Sequence, residues 1–119
     1  EGRAGAVLVR AIEPVEGVEQ MRERRPKARR PRDLTNGPGK LTQALGIASE
    51  EWHGADLTRP PLYFARDDGA ASLPVGTSSR IGITRGVERP WRFFVRDHPF
   101  VSPGVPSDIA RARKRAKRR

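Results

Sequence analysis

Cysteine is absent from the 119 residues. Its absence excludes disulfide frameworks, zinc ribbons, thiolate clusters and cysteine nucleophiles, and it fits a reducing compartment. Histidine is almost absent as well: His53 and His98 are the only imidazoles, too few nitrogen ligands for a metal site. Aromatic residues make up 6% and hydrophobic residues 35% of the chain, with a mean hydropathy of -0.69. No apolar run approaches the ~20 residues that a membrane-spanning helix needs, and no signal-peptide pattern is visible. A chain of this length has room for one domain and can bury about two-thirds of its unfolded surface.

Positive charge is what the sequence has in excess. Lys and Arg number 24 against 14 acids, giving +10 and a pI near 11.4. The last nine residues, RARKRAKRR, carry seven of those charges and leave +3 for the other 110. A polyanion, nucleic acid above all, is the natural partner of such a tail; the plainer alternative is a solvated run that aids solubility. Twelve Gly and eleven Pro imply many turns and few long helices.

Along the chain, Ala6-Val7-Leu8-Val9-Arg10-Ala11-Ile12 has the branched apolar content of a strand buried on both faces, Arg10 apart. A strand so close to Glu1 suggests a chain that continues upstream. Pro14 opens a short helix, with Glu13, Glu16 and Glu19 near its start and Arg22, Arg24 and Arg25 near its end, the order the helix dipole favours. Val15, Val18 and Met21 form its apolar stripe. Residues 25–33 are a basic, proline-rich loop. Residues 35–46 read as a helix capped by Thr35 or Asn36, with Leu41, Ala44 and Leu45 inward and Gly46 at its end. Strands are expected at 62–65, 80–84 and 91–96, the last alternating Trp91, Phe93 and Val95 against Arg92, Phe94 and Arg96. The chain from Arg111 is expected to be disordered when unbound. Together these elements describe an α+β fold, a mixed α/β domain on a mostly antiparallel sheet over residues 1–102, followed by a flexible basic tail at 103–119.

Two features carry candidate chemistry. Asn36-Gly37-Pro38-Gly39-Lys40 is not a Walker A loop, because its glycine spacing differs and Leu41 follows the lysine. It does put backbone N–H groups and a cation at a helix start, which could clamp a phosphate, although the bare pattern reads first as a plain helix beginning. Arg10, a cation inside an apolar strand, needs a carboxylate or phosphate partner or an edge open to water. It is a structural ion pair or a site residue. Trp52, Tyr63 and Trp91 could stack on bases, although so few aromatics are first needed for the core. No placement of Ser, His and Asp suggests a nucleophilic triad.

Three stretches, taken in order, resemble one family. They are residues 6–17 followed by Met21-Arg22, then Asn36-Gly37-Pro38-Gly39-Lys40-Leu41-Thr42-Gln43-Ala44-Leu45-Gly46-Ile47, then Ser79-Arg80-Ile81-Gly82-Ile83 with Pro90-Trp91-Arg92-Phe93-Phe94-Val95-Arg96 and Pro99-Phe100-Val101-Ser102. They are similar to the C-terminal half of the alkyladenine (3-methyladenine, methylpurine) DNA glycosylases, over residues 4–102.

The resemblance implies a single domain on a curved antiparallel sheet, here incomplete. It also implies a monofunctional enzyme that flips alkylated purines such as 3-methyladenine out of double-stranded DNA and hydrolyses the N-glycosidic bond with an activated water. No cofactor or metal, no membrane and a monomeric state are expected. The location would be cytoplasmic and nucleoid-associated in a bacterium, nuclear in a eukaryote. By position, Arg10 matches the arginine that helps hold the water, Ile81 the residue whose carbonyl also binds it, Leu8 a pocket wall, and Lys40, with Gly37 and Gly39, the phosphate-contacting helix start. The family's general-base glutamate and intercalating tyrosine match nothing here and fall before Glu1; Glu13 and Glu16 match helix-start positions outside the pocket. On this reading the 119 residues are a catalytically silent fragment of a glycosylase. The alternative is a noncatalytic basic module that binds nucleic acid on the same scaffold.

Overall fold

The computed structural model of the chain describes residues 2–118. The fold is α+β: short helices and one two-stranded antiparallel sheet. It divides into two compact units. One takes the chain up to Asp67 together with Pro99–Ser102, and the other takes Asp68–His98 and the chain from Pro103 onward.

The first unit is built on helix α1 (Val18–Arg24), a 3-10 turn at Pro31–Leu34, helix α2 (Pro38–Leu45) and a single turn, α3 (Ser49–Trp52). Helix α1 begins later than its charge pattern suggests, because Gly17 at its N-cap takes the left-handed conformation (φ 69°). Val15 is left outside the helix and exposed, a correction to the expected stripe, while Met21 is buried and Val18 packs beside it. Met21, Leu34 and Ala44 form the core, with Val18, Ala28 and Leu45 against it. Gly46 ends α2 in the left-handed region (φ 70°), as its position suggests, and its N–H and that of Ile47 donate to the Gln43 and Thr42 carbonyls. The N-cap of α2 is Gly37 rather than Thr35 or Asn36, and no side chain caps it. Both polar side chains are engaged elsewhere: Thr35 Oγ1 donates to the Ile12 carbonyl at 2.7 Å, and Asn36 bonds within its own loop.

Residues 6–12 are not a strand. They run without ladder partners, Val7 94% and Leu8 64% exposed, tied down by the Ile12 N–H bond to the Thr35 carbonyl at 3.4 Å and by the Thr35 hydroxyl. The strand composition is real, but a strand is stable only when a neighbour satisfies its backbone, and no described residues pair with it. The expected strand at 62–65 is absent for the same reason, with Tyr63 and Phe64 exposed.

The second unit holds a 3-10 turn (Asp68–Ser72), strands β1 (Val75–Ser78) and β2 (Arg92–Val95), and helix α4 (Ser107–Ala116). The strands pair antiparallel, with Val75 opposite Val95 and Thr77 opposite Phe93. Strand β2 lies where alternation puts it. Its Trp91, Phe93, Val95 row is not the inner face, however, since Trp91 and Phe93 are exposed and Phe94 is half-buried. The expectation that the core takes up the aromatics therefore fails here. Phe94 lies over Gly76, where a Cβ would come within 2.9 Å of its ring, so β1 needs glycine at that point. The expected strand at 80–84 shrinks to one bridge between Ile81 and Pro106, because Gly82 turns into the left-handed region (φ 72°). Helix α4 covers Ser107–Ala116, so the residues from Arg111 to Ala116 are helical where disorder is expected.

Candidate nucleic-acid interface

The start of α2 is assembled from a polar relay. Arg30 donates from Nε to Asp33 Oδ2 (2.9 Å) and from a terminal nitrogen to Oδ1 (3.0 Å). Asp33 accepts from Asn36 Nδ2 at 3.4 Å, and Asn36 Oδ1 accepts from Lys40 Nζ at 2.9 Å. The Arg30 hydrogen bonds, with its charge beside them, push the Asp33 carboxyl down to about 2. From the other side the buried Ser102 hydroxyl donates to the Asn36 carbonyl at 3.0 Å. The loop that delivers Gly37, Pro38, Gly39 and Lys40 is therefore fixed at both ends.

The first closing bond of α2 runs from the Leu41 N–H to the Gly37 carbonyl at 2.8 Å, and no side chain caps the turn. The N–H groups that precede it point along the axis toward any anion placed there, and the dipole adds to the attraction. Gly39 is exposed with open space around its Cβ position. Gly37 has extended backbone, with the Lys40 methylenes 3.6 Å from where a Cβ would stand. Neither glycine is required by the contacts of this chain alone.

Arg10 is half-buried, and its Nε is enclosed without a hydrogen-bond partner among the described residues. Leu8, two residues earlier, is exposed, and Ile12, two residues later, is clasped to Thr35 just before the α2 loop. The clasp ties the first segment to the lead-in of α2. Ile81 belongs to the second unit, half-buried in its bridge to Pro106; the Arg80 carbonyl before it accepts from the Ser107 N–H and the Ile83 N–H donates to Ser107 Oγ, each at 3.1 Å. Gly104 (φ 132°) leaves only about 3 Å between its Cβ position and the Ile81 side chain.

The sequence left several partners unmarked. Asn36, one helical turn before Lys40, holds its ammonium group, and that spacing is legible in principle. The pairing of Ser79 with Asp108 at 2.6 Å spans 29 positions and leaves no local signature. Trp91 is flanked by the Arg89 and Arg80 guanidinium groups, 4.6 and 5.8 Å from its ring centre. The perturbed carboxylates, Asp33, Asp56 and Asp108, are all held below the usual range by hydrogen bonds, a state that suits anchors rather than proton acceptors. A cavity of about 330 Å³ beside α1 and α2 is lined by Arg25, Pro26, Lys27, Ala28 and Gln43, with neither an acid nor an aromatic wall for a base. Among the described residues no cluster of His, Asp and Glu could hold a metal ion, and no helix is long and apolar enough to cross a membrane.

Residues 1–99 match the family model of the methylpurine-DNA glycosylases. Relatives that are 3-methyladenine DNA glycosylases by name include one from Salinibacter ruber, 56% identical over 107 residues, which cover 90% of this chain and 51% of the relative. Another, from Chlorobaculum parvum, is 47% identical over 125 residues, covering 100% of this chain and 56% of the relative. One from Granulibacter bethesdensis is 49% identical, covering 82% of this chain and 46% of the relative. The chain spans about half the length of the curated relatives it matches. With most of its length inside one family model, and with relatives this similar, the chain belongs to the methylpurine-DNA glycosylase family.

Proposed function

We propose that these residues are one part of a glycosylase that removes alkylated purines from double-stranded DNA, and that the residues completing the catalytic site lie outside them. The observation that carries this reading is the family match over residues 1–99, combined with coverage of only about half of each relative. The segment at 6–12, without a ladder partner among the described residues, and the enclosed Nε of Arg10, without a hydrogen-bond partner among them, support it.

In the reaction the damaged nucleotide leaves the stack at a cost of a few kcal/mol, least for a damaged pair. A water oxygen attacks the sugar C1′, the glycosidic electron pair departs with the purine, and the water's proton passes to a carboxylate. The sugar becomes oxocarbenium-like, so the water must be held in line before the bond breaks. Arg10 and the Ile81 carbonyl hold that water, and Leu8 forms a wall of the pocket. Lys40 and the N–H groups about Gly37 and Gly39 grip a phosphate and help offset the unstacking. The proton acceptor is a carboxylate outside these residues, and the 119-residue chain alone binds DNA without excising bases.

The test is release of 3-methyladenine from methylated duplex DNA. The full-length protein releases it and the 119-residue chain does not. In the full-length protein, Arg10→Ala lowers excision by about a hundredfold or more while duplex binding stays close to the parent. Lys40→Ala weakens binding to damaged and undamaged duplex alike and flattens its salt dependence. Excision by the 119-residue chain would overturn the division of labour, and equal loss of binding and excision in Arg10→Ala would remove Arg10 from the water site.

A further inference from the structure

We propose that helix α4 is a rigidly anchored arm that binds the phosphate backbone of duplex DNA, independently of the nucleotide pocket. Two features of the second unit point to it.

The first is the anchor. Asp108 in the first turn accepts from the buried Ser79 hydroxyl at 2.6 Å, and the Asp108 N–H donates back to the same oxygen at 3.2 Å. The Ser107 N–H donates to the Arg80 carbonyl, Ser107 Oγ accepts from the Ile83 N–H, and a terminal nitrogen of Arg111 donates to the Thr84 carbonyl. Every one of these bonds lies in the first turn and a half. Beyond Arg111 the helix stands exposed to its end.

The second is the charge on the free part. Arg113, Lys114, Arg115, Lys117 and Arg118 follow one another with only Ala116 between them. Neighbours three and four apart repel on a helix, by a few tenths of a kcal/mol per pair, and a helix this short is marginal in water. An intrinsically strained cationic helix held by one end gains most from a partner that neutralises it. At roughly 100° per residue the cations from Arg111 onward share one broad face, and Ile109, Ala112 and Ala116 share the narrow opposite one. An isoleucine and two alanines are too little apolar surface to seat a helix in a bilayer. Duplex DNA presents a negative charge every ~1.7 Å along its axis and asks only for cations in register. The observations therefore favour DNA over an anionic membrane.

The experiment uses the 119-residue chain and an undamaged, fluorescently labelled duplex, with affinity measured from 50 to 200 mM salt. The quadruple variant R113Q/K114Q/R115Q/K117Q loses affinity, and its log K against log salt slope is shallower by about 3 to 4, near 0.9 for each lost phosphate contact. R113K/R115K keeps the parental slope. Helicity measured by circular dichroism rises in the parent on adding duplex. Asp108→Ala, which frees the anchor, weakens duplex binding while leaving every arm cation in place. An unchanged slope in the quadruple variant overturns the arm, and unchanged affinity in Asp108→Ala overturns the anchoring. Binding to phosphatidylserine vesicles as tightly as to duplex overturns the choice of DNA. None of these readouts involves base excision, so the arm and the glycosylase reading fail separately.

Discussion

The two units of the chain use opposite means of holding shape. The first carries twelve cations against ten acids and closes around Met21, Leu34 and Ala44. The second carries twelve cations against four acids, and Val87 is its buried hydrophobic side chain among the described residues. What the second unit lacks in apolar core it replaces with hydrogen bonds: Ser79 and Ser107 are buried, and each joins the loop after β1 to the start of α4. Hydrophobic burial is nondirectional and tolerates substitution of similar size, whereas a buried hydroxyl is stable only while its partners are in place. The near-neutral unit is therefore held by shape-filling, and the strongly cationic one by specific bonds that also aim its charge.

The strongest test of this contrast is Leu34→Ala. Leu34 is 1% exposed at the centre of the first unit, so the truncation costs about 2–5 kcal/mol. Chemical-shift changes on heating or in denaturant should show unfolding of the first unit advanced, with the β1–β2 pairing and the Ser79–Asp108 bond retained. Equal loss in both would mean that the two share one cooperative core.

A smaller effect is expected where the second unit is tightest. In Gly76→Val the new side chain meets the Phe94 ring, 2.9 Å from the Cβ position, and must displace it. Overpacking of this kind costs about 1–3 kcal/mol. Loss of the cross-strand contacts between β1 and β2, followed by NMR, checks it; an undisturbed Phe94 would show that the sheet yields at no cost.

The same contrast explains what was legible in the sequence. Helices α1 and α2, the Gly46 stop and strand β2 were visible because each is set by residues within one or two turns: a periodic apolar stripe, a left-handed glycine, an alternating run. Residues 6–12 and 62–65 have strand composition without becoming strands, since pairing depends on a neighbour that composition does not contain. Strand β1 leaves no signal in the sequence because Val-Gly-Thr-Ser is short and owes its place to Phe94 across the ladder. Helix α4 was hidden by its own charge, which argues for disorder until Ser79, 29 positions away, is known to hold its first turn. The candidate site divides in the same way. Lys40 at a helix start is legible in local pattern, but its tether beyond Asn36, to Asp33 and Arg30, leaves no such pattern.

The smallest expected effect is titration, which reaches each unit through a different bond. Asp33 is held down to about 2 by Arg30, and Asp108 is held below the usual carboxylate range chiefly by the Ser79 hydroxyl. A carboxyl depressed in the folded state favours folding fully above its unfolded value, near 3.9, and that contribution disappears as pH falls through the folded value. Acidification from pH 4 toward pH 2 therefore weakens the turn before α2, and the anchor of α4 weakens as pH falls below the ordinary carboxylate range. In the first unit the apolar core does not titrate, so only the turn loosens. In the second the Ser79–Asp108 bond is the part of the anchor that titrates, so the hold on the first turn of α4 loosens while the Ser107 and Arg111 bonds remain. Carboxyl-carbon titrations of Asp33 and Asp108, recorded with backbone shifts of α2 and α4, separate the outcomes. Arg30→Ala should move the Asp33 midpoint up toward the ordinary value and leave α4 unchanged, whereas Ser79→Ala should raise the Asp108 midpoint and loosen the first turn of α4 already at neutral pH. If that turn kept its helical shifts after Asp108 had taken up its proton, the polar latch would not be what holds the cationic unit in shape.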